Sequence, residues 1–178
     1  MEKIIVFDVE TPNYSNDRIC SIGVTTIEEG LVVHSKNYLV NPECNFDSRN
    51  ISIHGIKPEA VINAPTFPVI WDIIGEDFLK NIVVAHNANF DLGVLKKTLI
   101  YYGIESSLLI YVDTLKIARK ILKESANHKL PTLCWYYDIE LKHHDSGSDS
   151  HACANLLLNL IEDGADLKEY IREYKLGI

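Results

Sequence analysis

Four carboxylates and one histidine are spread along this chain of 178 residues in an order that could do phosphodiester chemistry: Asp8, Glu10, Asp91, His144 and Asp149. They lie in the segments FDVET (7–11), HNANFD (86–91) and HHDSGSD (143–149). Carboxylate oxygens in this number suit hard divalent cations. An imidazole with an ordinary pKa near 6.5 suits a base that must take a proton from water. Two cations held by four acids, with one base beside them, is a set of parts for hydrolysing a phosphodiester.

Spacing alone does not select these residues. D-x-E occurs twice, at Asp8/Glu10 and at Asp138/Glu140, and H-x-x-x-x-D also occurs twice, at His86/Asp91 and His144/Asp149. Context separates the first pair. Asp8 and Glu10 sit in the apolar run IIVFDVE, which reads as a central strand, and residues i and i+2 of a strand share a face. Two unpaired carboxylates held side by side near buried surface are costly to desolvate and repel each other, and a shared cation removes both penalties. Asp138 and Glu140 follow the helical-looking LCWYYD and read as a solvated face. Asp91 falls in the first turn of an expected helix, where the free N–H groups and the dipole favour an acid whatever its function. It also follows a strand, where ligands gather in open α/β sheets. Asp149 reads similarly, with Ser148 as the expected helix cap. An apolar stripe at Ala152, Leu156 and Leu160 would dock that helix on the sheet. His144 sits in the polar loop before it. The cluster His143, His144, Asp145, Asp149, His151 and Cys153 also admits a zinc reading, but no second Cys/His pair completes a tetrahedral set.

The elements that must position these groups follow from the hydrophobic pattern. Residues 3–9, 19–27 and 31–40 read as strands joined by turn-forming segments, which favours an antiparallel meander. After Asn50 the pattern turns helical over Thr66–Leu79, then gives a strand at 82–86, a helix from Asn89 to Tyr102, a strand at 108–112 and a helix ending near Leu122. Short helices are expected at 131–138, 149–162 and 166–174. The sum is an α/β domain with a mixed five-stranded sheet, three antiparallel strands and then two alternating with helices, flanked by helices.

Composition narrows the function classes. With 47% hydrophobic residues the chain supports one core. A net charge of −8 excludes a bulk electrostatic grip on nucleic acid. An enzyme touching a few nucleotides at a strand end needs no such grip, since bound cations offset local charge. The basic residues after the second acidic motif (Lys96, Lys97, Arg119, Lys120, Lys123, Lys129 and Lys142) look scattered. Cys20, Cys44, Cys134 and Cys153 form no C-x-x-C pair and suggest reduced thiols. With no signal peptide and no long apolar run, a cytoplasmic protein without membrane contact is expected.

Taken in order, these motifs resemble the DEDD superfamily of 3′→5′ exonucleases in its histidine subclass, which includes proofreading subunits and domains of bacterial replicative polymerases. The resemblance spans residues 3–162 and extends to SIHGI (52–56), PEAVINAPTFPVIWDII (58–74), YVDTLKIAR (111–119) and NHKLPTLCWYYDI (127–139). It implies a ribonuclease H-like fold and one exonuclease domain over residues 1–178. It implies two Mg²⁺ or Mn²⁺ ions, with Asp8 bridging both, Glu10 and Asp149 on the ion that activates water, Asp91 helping to hold the second, and His144 as the base. It places Thr11, Ile53, His54 and Phe90 around the terminal nucleotide, and leaves His86 as a strand-end residue. The implied substrate is the 3′ end of DNA or RNA, and the product a nucleoside 5′-monophosphate. A polymerase partner is compatible with the resemblance, although the chain contains no glutamine and so no glutamine-led clamp-binding peptide. The chain departs from the pattern at Pro12-Asn13, where Pro12 lacks an N–H donor.

Overall fold

The computed structural model describes residues 3–177. The meander forms as read: β1 (Ile4–Glu10), β2 (Ser21–Glu28) and β3 (Leu31–Leu39) pair antiparallel. Two short helices follow, α1 (Ser48–His54) and α2 (Pro58–Val61), in a stretch where the sequence pattern showed no helix. Both are too short to carry a periodic apolar stripe. Helix α1 buries no residue at all, and it closes on Gly55 at φ 74°, a left-handed position that glycine adopts without strain. Helix α3 (Phe67–Lys80), strand β4 (Ile82–Ala85), helix α4 (Asn89–Tyr101), strand β5 (Leu108–Asp113) and helix α5 (Thr114–Ile121) come next. They are followed by α6 (Leu130–Tyr136) and α7 (Ser146–Glu162).

The sheet has six strands, not five. Its order is β3-β2-β1-β4-β5 and then a strand β6 (Arg172–Lys175), with β1, β4 and β5 parallel to one another and β6 antiparallel to β5. The added strand occupies part of the 166–174 segment expected to be a helix; only a single 3-10 turn, Leu167–Tyr170, forms there. Local helical preference lost to the open edge of β5, where Leu108–Tyr111 pair with Arg172–Lys175 and Tyr174 packs edge-on against Tyr111 at 6.1 Å.

Helices cover both faces. On one, Phe7, Phe67, Trp71, Phe78, Leu92 and Leu95 close the core between the sheet and α3 and α4. On the other, Ile4, Val6, Val112, Ile117, Leu133, Ala152, Leu156 and Leu160 close it under α5, α6 and α7. The alternation along β1 is strict: Ile5, Phe7 and Val9 face the first layer, and Ile4 and Val6 face α7. Asp8 and Glu10 continue the α7 side. The four cysteines are unpaired. Among the described residues, no helix is long and apolar enough to cross a membrane.

Candidate active site

The sheet brings the two acids of β1 to its carboxyl end, and α7 supplies the third. Asp8, Glu10 and Asp149 each offer a carboxylate oxygen, and these oxygens lie within 4.8 Å of one another. Among the described residues this is the one such group of potential metal ligands. The zinc cluster does not assemble: His151 is exposed and bonded to Asn155, while Cys153 is buried beside Thr114 Oγ1.

Asp149 enters from the first turn of α7 and is only 3% exposed. Its Oδ2 accepts the backbone N–H of His144 at 2.8 Å, and its Oδ1 accepts Nδ1–H of His143 at 3.1 Å. Helix α7 begins three residues earlier than expected and is capped by Asp145, not Ser148: Asp145 Oδ1 accepts the Ser148 N–H at 3.2 Å, while Ser148 Oγ turns back to accept the N–H of Lys142 at 2.8 Å. The loop before α7 holds His144 at φ 67°. That left-handed conformation is strained for a non-glycine residue and is the kind concentrated at functional sites. The rings of His143 and His144 stack at 3.8 Å.

Asp91 lies outside the tight trio but beside it. It occupies the first turn of α4, as any helix-favouring acid would, yet it is 3% exposed and its Oδ1 accepts the N–H of Val9, between Asp8 and Glu10, at 3.2 Å. A buried acid bonded to the strand that carries Asp8 and Glu10 is more than a solvated helix terminus.

The electrostatics are dominated by burial of the acids and by their mutual repulsion. Burial, and then repulsion from Asp91, Asp149 and Glu10, raises the Asp8 carboxyl well above its ordinary value. Burial, then Asp149 and Asp91, pushes Glu10 up to about 8. Burial also lifts Asp91 to about 8, with Asp113 and Asp149 adding to the effect against the opposing Val9 hydrogen bond. Without cations these groups hold protons near neutrality. Divalent ions would displace those protons and remove the repulsion. His144 is shifted down, first by burial and then by His143, so its imidazole is neutral and able to accept a proton at pH 7.

Two clefts meet at the carboxylates. The first, of about 420 Å³, runs under α1. Of the residues expected around a terminal nucleotide, Ile53 and Phe90 are surface residues of this cleft, 45% and 44% exposed, rather than core. Thr11 is buried; its hydroxyl donates to Asn16 Oδ1 at 2.9 Å, and Asn50 Nδ2 donates to its carbonyl at 2.9 Å. His54 fastens the same wall, Nε2–H to Thr11 O at 3.2 Å and Nδ1 accepting from Ile56 N at 3.0 Å; burial holds its pKa below the ordinary value. Tyr14, Arg49 and Asn50 also line this cleft and gave no signal in the sequence, since none belongs to a spaced motif. His143 was equally silent as a positioning group, masked by its neighbour in the HH pair. Asp138 and Glu140, the rejected D-x-E copy, are exposed.

His86, the other rejected copy, is a structural fastener. Its Nε2–H donates to His128 O at 2.9 Å, and its Nδ1 accepts from Thr114 Oγ1 at 2.9 Å. Burial lowers its pKa and keeps it neutral. Asp113 completes this end of the sheet by accepting the N–H groups of Leu115 and Asn87, each at 3.0 Å.

A carboxylate trio thus stands at the end of a mixed sheet, with a buried fourth acid and a neutral histidine at its rim, and the comparisons place the chain in a family of nucleases. The pattern of the exonuclease family RNase_T matches residues 5–157, and the chain belongs to that family. It is 36% identical over 176 residues to the PolC-type DNA polymerase III of Bacillus subtilis (strain 168), and 34% identical over 164 residues to that of Oceanobacillus iheyensis. These alignments take in 93% and 90% of this chain but span only 12% of each relative. Among solved structures, exonuclease X in complex with 5′ overhanging duplex DNA superposes with a TM-score of 0.75 at 22% identity, covering 94% of this chain and 96% of that one. The nuclease domain of 3′hExo, described as a DEDDh family member bound to rAMP, gives a TM-score of 0.75 at 17% identity over 96% of this chain and 94% of that one. The fold is therefore the ribonuclease H-like one that the ordered motifs implied.

Proposed function

We propose that this domain is a 3′→5′ exonuclease that hydrolyses the terminal phosphodiester of a nucleic acid strand and releases a nucleoside 5′-monophosphate. The observation that carries the reading is the convergence of Asp8, Glu10 and Asp149 within 4.8 Å, with Asp8 and Glu10 shifted upward by burial and by repulsion from the neighbouring acids. The donor set is all oxygen, which fits Mg²⁺ or Mn²⁺. Asp8, Glu10 and Asp149 would hold the ions, and Asp91 would help through its place beside Val9. Bound there, two such ions supply the charge that makes water acidic and steadies the leaving 3′-oxygen.

The chain's own residues do the rest. His144 takes a proton from the attacking water on an imidazole nitrogen, which its lowered pKa leaves free at pH 7. His143 and the His144 N–H fix both oxygens of Asp149, so the carboxylate and the base keep one relative position. The Thr11–His54–Asn50 wall, with Ile53 and Phe90 on its surface, receives the terminal nucleoside. The polymerase relatives favour DNA as the strand and replication proofreading, in association with a polymerase, as the setting. Incubation with Mg²⁺ or Mn²⁺ and 3′-labelled DNA and RNA, single- and double-stranded, tests the reading. Release of labelled mononucleotide is expected, and its absence from every substrate overturns it.

A further inference from the structure

The second cleft at the carboxylates, about 660 Å³, leaves the site on the side away from α1. It shares Asp8, Phe90, His144 and Asp149 with the first cleft, so the two are arms of one channel. Its far wall carries Arg119 from the end of α5 and Lys129 from the cap of α6. Separated by ten positions in the chain, the two look unrelated in sequence; the fold puts them on one groove. Both are exposed, and among the described residues neither makes an ion pair. In a chain of net charge −8, two unpaired cations facing a groove that ends at four acids are not explained by stability.

The groove is also built rather than incidental. The segment that carries Lys129 is fastened to the sheet: His86 Nε2–H bonds His128 O at 2.9 Å, the His128 ring bonds Leu122 O at 2.9 Å, and Asn127 Oδ1 accepts the Lys129 N–H at 3.0 Å. Leu115, Leu130 and Pro131 add apolar surface to the lining of the same groove. Cations along a partly apolar groove suit a single strand, whose phosphates and bases need both.

We infer that this second arm carries the incoming strand, with Arg119 and Lys129 holding phosphates on the 5′ side of the scissile bond. This rests on the exonuclease reading above and adds the path of the substrate. Its consequence is a length preference: a substrate too short to enter the arm gains nothing from either cation.

The test compares a single-stranded DNA dodecamer with the p-nitrophenyl ester of thymidine 5′-monophosphate, which has no upstream phosphate. For Arg119→Ala/Lys129→Ala the ratio of kcat/KM between dodecamer and ester should fall roughly tenfold, through KM, as expected for losing two exposed charge pairs. The slope of log(1/KM) against log[salt] for the dodecamer should become shallower by about 1.4, or 0.7 for each lost single-strand phosphate contact. The Arg119→Lys/Lys129→Arg protein should recover most of both. An unchanged ratio, an equal loss on both substrates, or an effect confined to duplex DNA overturns the inference. If the unaltered protein releases mononucleotide from the dodecamer, the exonuclease reading stands whatever the variants do; if it releases none from the dodecamer, from duplex DNA or from RNA, that reading falls and the inference falls with it.

Discussion

Removing divalent cations should make the protein less stable as pH rises, and the acid cluster sets the size of the effect. In the metal-free protein Glu10 and Asp91 titrate near 8, and Asp8 also lies well above its usual range. Unfolded, all three titrate near 4. Between those values the folded state holds more protons than the unfolded state, so stability present at low pH is lost as pH climbs through about 8. One such proton, while fully held, is worth about 1.4 kcal/mol per pH unit; for a group titrating near 8 the loss from pH 6 to 8 is about 2.3 kcal/mol. For a domain of this size that lowers Tm by roughly 5–9 °C. Mn²⁺ at a hundred times its Kd at pH 8 returns about 2.7 kcal/mol. At pH 6 one competing proton weakens binding about fiftyfold, so the same Mn²⁺ gives only about 0.7 kcal/mol, near 2 °C. His54, His86 and His144 have lowered pKa values and pull the other way, adding stability as pH rises through the ordinary histidine range. They are common to wild type and Glu10→Gln, so the difference between those proteins isolates the acid. Calorimetry in EDTA and in Mn²⁺ at both pH values measures this. A metal-induced Tm rise that is equal at pH 6 and 8, or a Glu10→Gln protein with the wild-type slope, would refute the reasoning.

Four further outcomes follow from the geometry. Asp149→Asn should cost more than roughly 100-fold in turnover, beyond the 10–100-fold typical of groups that merely support a metal ligand, while circular dichroism shows an unchanged fold; retention of full activity would remove Asp149 from the site. His144→Gln should lower kcat roughly 10²–10⁴-fold at saturating metal and remove the acidic limb of the pH profile, which in wild type falls below the ordinary histidine pKa because burial depresses His144. Gly23→Ala should destabilise by roughly 1–3 kcal/mol and cut activity, because its Cβ would stand 1.8 Å from Ser146 O and 2.6 Å from Gly147 N. Gly93→Ala, with nothing within 4 Å of the new methyl, should be neutral or stabilising.

The contrast between those two glycines shows what could be read from the chain and what could not. Strand parity is local, so Asp8 and Glu10 were legible as a same-face pair, and the apolar stripe of α7 was legible as a docking face. Edge pairing is not local: β6 forms because β5 has a free edge, and the helical look of 166–174 carries no trace of that. The Arg119–Lys129 groove was hidden for the same reason, since its two cations meet only once α5 and α6 pack. Gly23 lies between these cases. It pairs with Asp8 across β1 and β2, so the two residues share a face. A glycine inside a strand signals close approach of another backbone, and here that backbone is the first turn of α7, seated on Gly23 through Ser146. Ser21 Oγ reinforces the contact, 2.7 Å from Ser146 Oγ. The missing side chain lets the helix close on the sheet beside Asp8, and Asp149, one turn along, then reaches the two acids of β1. In the sequence the glycine and the aspartate are 126 positions apart. Neither suggests the other, although the distance from Asp149 to Asp8 depends on the space that Gly23 leaves.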